Sequence, residues 1–166
     1  MTESVKSERS IELLSPRERY ERGRALFEGG KHEAALHLLR SAHTAEGHDA
    51  RIRSWYGLCL GLVERRFEEA VTFCLSAAKQ EFFNPDLYWN LARLHLGFGF
   101  KAEGVRYLRR GLMIDPAHTA IRAALQDLGD RAAPVLGFLP RRHPVNRWLG
   151  AVRHTILTHG PLRWAT

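Results

Sequence analysis

Nine histidines and two cysteines are the residues here with metal chemistry to offer. His32, His37, His43 and His48 follow one another at gaps of five, six and five. Two ligands on one helical face need an i,i+4 pair, and none of these gaps supplies it. Cys59 and Cys74 do not have zinc-ligand spacing. Each falls inside an apolar stretch, where cysteine behaves as a small hydrophobe. Glu68 and Glu69 are adjacent. They leave a helix on different sides, so they form no acid–base pair. No phosphate loop or nucleophile elbow is present. The residues therefore predict a protein that is not an enzyme. No catalytic residue, metal site, cofactor or small-molecule substrate is expected.

What remains is contact chemistry, and charge sets its first limits. The chain has 166 residues, 45% hydrophobic and 26% charged. That composition excludes full disorder, collagen and a disulfide-stapled miniature. Lys and Arg total 25 against 18 acids, a net charge of +7. The excess is local. After Asp130 there is no acid, while Arg131, Arg141, Arg142, Arg147, Arg153 and Arg163 remain. Residues 131–166 thus carry +6, and residues 1–130 carry nineteen basic groups against eighteen acids. A near-neutral body with a cationic tail suits an anionic surface at one end only. The N-terminal MTESVKSERS has no apolar signal core behind it. The longest apolar run, Trp55 to Val63, is nine residues, too short for a bilayer. A soluble, cytoplasmic, bacterial protein is expected.

The elements that position any contact surface come from a repeat. Gly23, Gly57 and Ala92 are spaced 34 and 35 apart. Ala35, Ala70 and Gly104 are spaced 35 and 34, and so are Ala42, Ala77 and Gly111. Three columns of small residues agree on one period, that of a stacking helix–turn–helix unit. Apolar residues within each unit recur at three and four, which indicates helices. The spacing predicts helices over 17–29, 32–46, 49–64, 67–81, 85–98, 101–114 and 117–129. Asn84-Pro85 and Asp115-Pro116 are read as helix starts. The seventh helix has Ile121, Ala124, Leu125 and Leu128 on one face and serves as a cap. The fold expected is all-α: a helical-hairpin solenoid of about three units with a capping helix and a basic C-terminal tail. The expected divisions are 1–15, a flexible lead-in; 16–130, the repeats and cap; and 131–166, the tail.

Those small-residue columns, with Asp115-Pro116 closing the third unit, resemble the tetratricopeptide repeat family over about residues 16–130. The first unit departs from the family pattern, with Arg19 in place of an aromatic and Glu46-Gly47 at its end. The resemblance implies a scaffold whose first helices line a concave groove for a peptide or protein segment. Its groove residues are then Tyr20, Arg24 and Phe27; Arg51, Trp55, Leu58 and Leu62; and Trp89, Asn90 and Arg93. The resemblance also implies that Asn90 can hold a peptide backbone, one turn from Arg93. The family's full basic clamp for a C-terminal carboxylate is not matched, since Ser54 and Asp86 occupy groove places. Aromatics with interleaved arginines suit an anchored, carboxylate-bearing peptide. Trp55 and Trp89 fit inter-helix core equally well.

The tail opens with RAAPVLGFLPRRHP, whose prolines oppose a helix. Val145, Trp148, Leu149, Val152 and Ile156 then recur at three and four, with Arg147 and Arg153 on other faces. That is a basic amphipathic helix over 145–157. It suits docking on the repeats, a membrane surface, a partner protein or nucleic acid. Two functions follow. One is a non-enzymatic adaptor that binds a peptide or protein in the groove. The other is a cationic surface binder, in which Arg141, Arg142, Arg147, Trp148 and Arg153 touch anionic membrane or nucleic acid while the repeats recruit a protein.

Overall fold

The computed structural model describes residues 13–129. Among the described residues there are seven helices and no strand. They are α1 (Pro16–Glu28), α2 (His32–Ala45), α3 (Ala50–Glu64), α4 (Phe67–Gln80), α5 (Pro85–Gly97), α6 (Lys101–Ile114) and α7 (Thr119–Asp127). The chain divides after Leu125 into two units. Of the second unit only the end of α7 and the turn to Gly129 are described. The lead-in 1–12, the tail 131–166 and its expected helix lie outside the described residues.

The first helix of each of the three hairpins starts on a polar cap. Ser15 forms a reciprocal capping box with Glu18. The Asp49 side chain accepts from the Arg51 and Ile52 amides, and that of Asn84 from the Asp86 amide. Ser15, Asp49 and Asn84 stand 34 and 35 residues apart, so the repeat sets the caps as well as the core. The second helices have no side-chain cap. They follow a left-handed residue instead: Gly30 (φ 78°), Arg65 (φ 59°) and Gly99 (φ 82°). These also keep the period, at 35 and 34. Glycine takes that conformation without cost, whereas Arg65 is strained there by about 1–2 kcal/mol. The Arg65 guanidinium lies 4.0 Å from the Phe98 ring centroid, a contact that offsets part of that cost.

Asp115-Pro116 departs from the expected helix start. Asp115 closes α6, and its carboxylate accepts from the Ala117 amide at 2.9 Å. That side-chain turn uses up the cap before a helix can begin. His118 takes the role: its Nδ1 accepts from the Ile121 amide at 3.3 Å. The ring proton then sits on Nε2 and is donated to Asp86 at 3.0 Å, tying the start of α7 to the start of α5.

The hairpins α1/α2, α3/α4 and α5/α6 hold the most extensive contacts, and α3 also packs on α2 and α5. Ten of its fifteen residues are buried, which accounts for the long apolar run of the sequence. No described helix is long and apolar enough to cross a membrane. The small-residue columns lie where hairpin helices cross. A Cβ on Gly57 would stand 2.9 Å from Phe73 Cβ and 3.0 Å from the Ala70 carbonyl oxygen. One on Gly23 would meet Leu39 at 2.7 Å and the Ala35 carbonyl at 3.5 Å. One on Gly104 would reach the Ala92 carbonyl at 3.4 Å. The same contact is thus made three times. Arg19, exceptional in the first unit, reaches Ser41 across α1/α2 at 3.0 Å, and that hairpin keeps the pairing of the others.

Gly57→Ala is expected to destabilise the protein by ~1–3 kcal/mol, because part of the obstruction is backbone. The exposed change His37→Gln should stay within about 0.5 kcal/mol of wild type. Denaturant midpoints of the two variants provide the check.

His43 stacks on Tyr56 with ring centroids 4.7 Å apart and meets Phe73 edge-on. Burial, helped by the nearby Arg53 charge, lowers its pKa below 6.5. The unfolded chain therefore takes up this proton first as pH falls, so the stability tied to His43 is complete above about pH 6.5 and declines below it. Urea midpoints at about pH 7.5 and about pH 5.5 should differ less for His43→Phe than for wild type.

Candidate functional site

Helices α1, α3 and α5 form one layer of the stack. Successive units place matching side chains along it. Tyr20, Trp55 and Trp89 stand 35 and 34 residues apart, and Arg24, Cys59 and Arg93 repeat the same spacing. Rings thus occupy one position of the unit, and cations occupy another in the outer two units.

The rings and cations interleave. The Arg24 guanidinium lies 5.5 Å from the Tyr20 ring centroid and 5.1 Å from that of Trp55. Arg93 lies 4.8 Å from Phe27, 5.3 Å from Trp55 and 5.4 Å from Trp89. Phe27 and Trp55 meet edge to face at 5.8 Å. Each desolvated cation–ring contact contributes up to about 2 kcal/mol. Arg93 donates to Glu28 at 2.9 Å, and its side chain is only 17% exposed. Arg24 pairs at 3.5 Å with Glu21, a solvent-screened contact of small worth. The buried Nε of Arg24 has no partner among the described residues. Burial raises the Tyr20 pKa, so its hydroxyl stays neutral.

The expected groove residues therefore separate. Tyr20, Arg24, Phe27, Trp55, Trp89 and Arg93 come together around the two guanidiniums. Trp55 is 6% exposed and forms the floor, while Trp89 is half-buried. Arg51 is exposed, near enough for its charge to act on Tyr20. Leu62 lies about three turns beyond Arg51 along α3. It lines a cleft of about 590 Å³ with Val63, Gly30 and His32.

Leu58 and Asn90 are corrections to the groove reading, since both are wholly buried. Leu58 faces the inter-helix core because α3 is covered on nearly every side. Asn90 Nδ2 donates to Ser54 Oγ at 3.1 Å, so its amide is held between helices, away from any peptide backbone. Sequence reading missed Glu28, which neutralises Arg93 from another unit, and His32, whose ring lies tilted against Phe27 with centroids 4.7 Å apart. No spacing signal marks either one. Arg141, Arg142, Arg147, Trp148 and Arg153 lie outside the described residues.

No His, Cys, Asp and Glu grouping among the described residues could hold a metal ion. The two thiols are free and buried. Cys74 donates to the Ser54 carbonyl at 3.3 Å. Burial pushes both pKa values up to about 12. A thiol that stays protonated and covered is a poor nucleophile. Neither cysteine is expected to react with iodoacetamide in the native protein at about pH 8, and both should react after denaturation. Mass spectrometry of the labelled chain distinguishes these states.

No known family matches the sequence, and no curated protein matches it. Solved structures do resemble it. The Arabidopsis OM64 TPR domain is 18% identical with a TM-score of 0.55, over 69% of this chain and 93% of that one. The first TPR of Spaghetti (RPAP3), bound to the HSP90 peptide SRMEEVD, is 15% identical with a TM-score of 0.55, over 69% and 90%. The second TPR domain of human RPAP3, in complex with the HSP70 peptide SGPTIEEVD, is 19% identical with a TM-score of 0.52, over 69% and 98%. With its columns, caps and hairpins in register, this chain has the tetratricopeptide-repeat fold.

Proposed function

We propose that residues 16–130 act as a non-enzymatic scaffold that binds a peptide or protein segment along α1, α3 and α5, with 131–166 as a separate basic tail. The observation that carries this reading is the pair of guanidiniums set among Tyr20, Phe27, Trp55 and Trp89. Such a surface offers the half-buried Trp89 ring to an apolar anchor and charged donors to a carboxylate, over a floor of buried Tyr20, Phe27 and Trp55. Two structural neighbours hold peptides with acidic C-terminal ends, which supports the same chemistry here. Ser54, expected at a groove place, is instead wholly buried against Asn90, and Asp86 is an exposed acid where a basic clamp would need a cation. The segment taken by this protein is therefore anchored by the arginines and rings rather than by a clamped terminal carboxylate.

Fluorescence anisotropy with labelled SRMEEVD peptide tests the reading. Arg24→Gln and Arg93→Gln should each weaken binding about tenfold, the equivalent of ~1.4 kcal/mol. A version of the peptide with an amidated C-terminus should bind almost as well as the free acid. Unchanged affinity in both variants, or no binding by wild type, would overturn it.

A further inference from the structure

The opposite layer of the stack contains a second, independently built groove. Helices α4 and α6 both lean on α5 and leave a cleft of about 350 Å³ between them. Its floor is aliphatic, from Leu75 and Ala78 of α4 and Leu91 of α5. Its rim is cationic: Lys79 from α4, Arg106 and Arg110 from α6. No acid lines it. Many other cations of the stack have carboxylate partners, including Arg24, Arg40, Arg66 and Arg93. Lys79, Arg106 and Arg110 have none among the described residues. Two of them are braced instead: Arg106 lies 5.3 Å from the Tyr107 ring centroid and Arg110 5.7 Å from that of Tyr88. Tyr88 is itself fixed, donating its hydroxyl to the Phe82 carbonyl at 3.3 Å. A guanidinium laid on a ring keeps its N–H edge free for a carboxylate.

We propose that this groove is a docking site for an acidic peptide segment of a partner protein, one with an apolar side chain between Asp or Glu residues. The apolar side chain would sit on Leu75, Ala78 and Leu91, and the flanking carboxylates would pair with Arg106, Arg110 and Lys79. Charge decides the occupant. Residues 131–166 of this chain carry six arginines and no acid, so a cationic rim repels them. Nucleic acid gains its affinity from many phosphate contacts, roughly six to ten in a typical complex. Three cations around an aliphatic floor fall short of that. The volume is at the small end of ligand clefts, roughly 300–1,000 Å³, and suits one anchor residue with its neighbours. This proposal does not depend on the Arg24 and Arg93 cluster.

The probe is a capped octapeptide of six glutamates and two leucines, with both termini blocked, titrated into the full chain by anisotropy. Arg106→Glu with Arg110→Glu should weaken binding at least about tenfold, the equivalent of one or more charge-assisted hydrogen bonds. Arg109→Glu with Arg122→Glu changes net charge equally, lies outside the cleft, and should leave affinity within about threefold. Replacing the glutamates by glutamine should abolish binding, and replacing the leucines by alanine should weaken it. Arg24→Gln with Arg93→Gln should leave this probe's binding intact, which separates the two grooves. If the reversed pair fails to fold by thermal melting, Arg106→Gln with Arg110→Gln replaces it. Equal losses in both charge-reversed pairs would refute a localised site. So would no binding by wild type, or a single-stranded oligonucleotide that outcompetes the peptide at equal salt.

Discussion

The stack depends on how closely two helices of a hairpin can approach. At Gly57 the α-carbon comes so near the Ala70 carbonyl that no side chain fits between them. Gly23 with Ala35 and Ala92 with Gly104 repeat that approach. Close crossing brings the backbones together and lets larger residues, such as Leu39, Phe73 and Leu96, close around the contact. Protein interiors pack at crystal-like density, so a single added methyl group is felt along the pair. The position of every other element follows. The turns, caps and inter-unit faces keep their 34–35 residue rhythm because the crossings do.

That rhythm made most of the fold legible in the sequence. A lone alanine in a helix carries little information, but small residues recurring in three columns at one period point to close helix crossings. The seven expected helices agree with the observed ones to within two residues at each end. Asn84 was legible as a cap before Pro85, whereas Ser15 and Asp49 went unread because they share with it only a side-chain oxygen. Asp115-Pro116 misled because the same pair makes a helix start or a tight turn, according to which amide the carboxylate takes. The site was half legible. Its rings and cations could be named, but burial could not be assigned from helical phase alone. α3 is covered on more sides than an outer helix, and so it took Leu58 and the Asn90 partner Ser54 out of reach. The α4/α6 cleft went unread because its parts lie about thirty residues apart and look like ordinary solvated charges.

The two layers divide the work of contact. First helices bring residues from three units to one place, since one position in each unit projects the same way. Arg93 touches rings from all three units, so it couples the hairpins while it presents donors. Second helices stand further apart and leave clefts where residues of neighbouring units face each other. A surface built in this way is rigid where rings and cations interlock. Its chemistry can be changed unit by unit without disturbing the crossings beneath. Ser54 shows how the layers are joined: it accepts from Asn90 of α5 through its hydroxyl and from Cys74 of α4 through its carbonyl.

The column of small residues also counts the units. It runs Gly23, Gly57, Ala92, and one further period brings it to Gln126, near the end of α7. A long polar side chain stands where each earlier hairpin has hydrogen or methyl. A helix crossing there as α4 crosses α3 would meet a long side chain where Gly57 carries only hydrogen. On the other side of α7, Ile121 fills the space beside Gly111 that faces the third unit. The seventh helix thus keeps the face that receives the third unit and changes the residue at the crossing position.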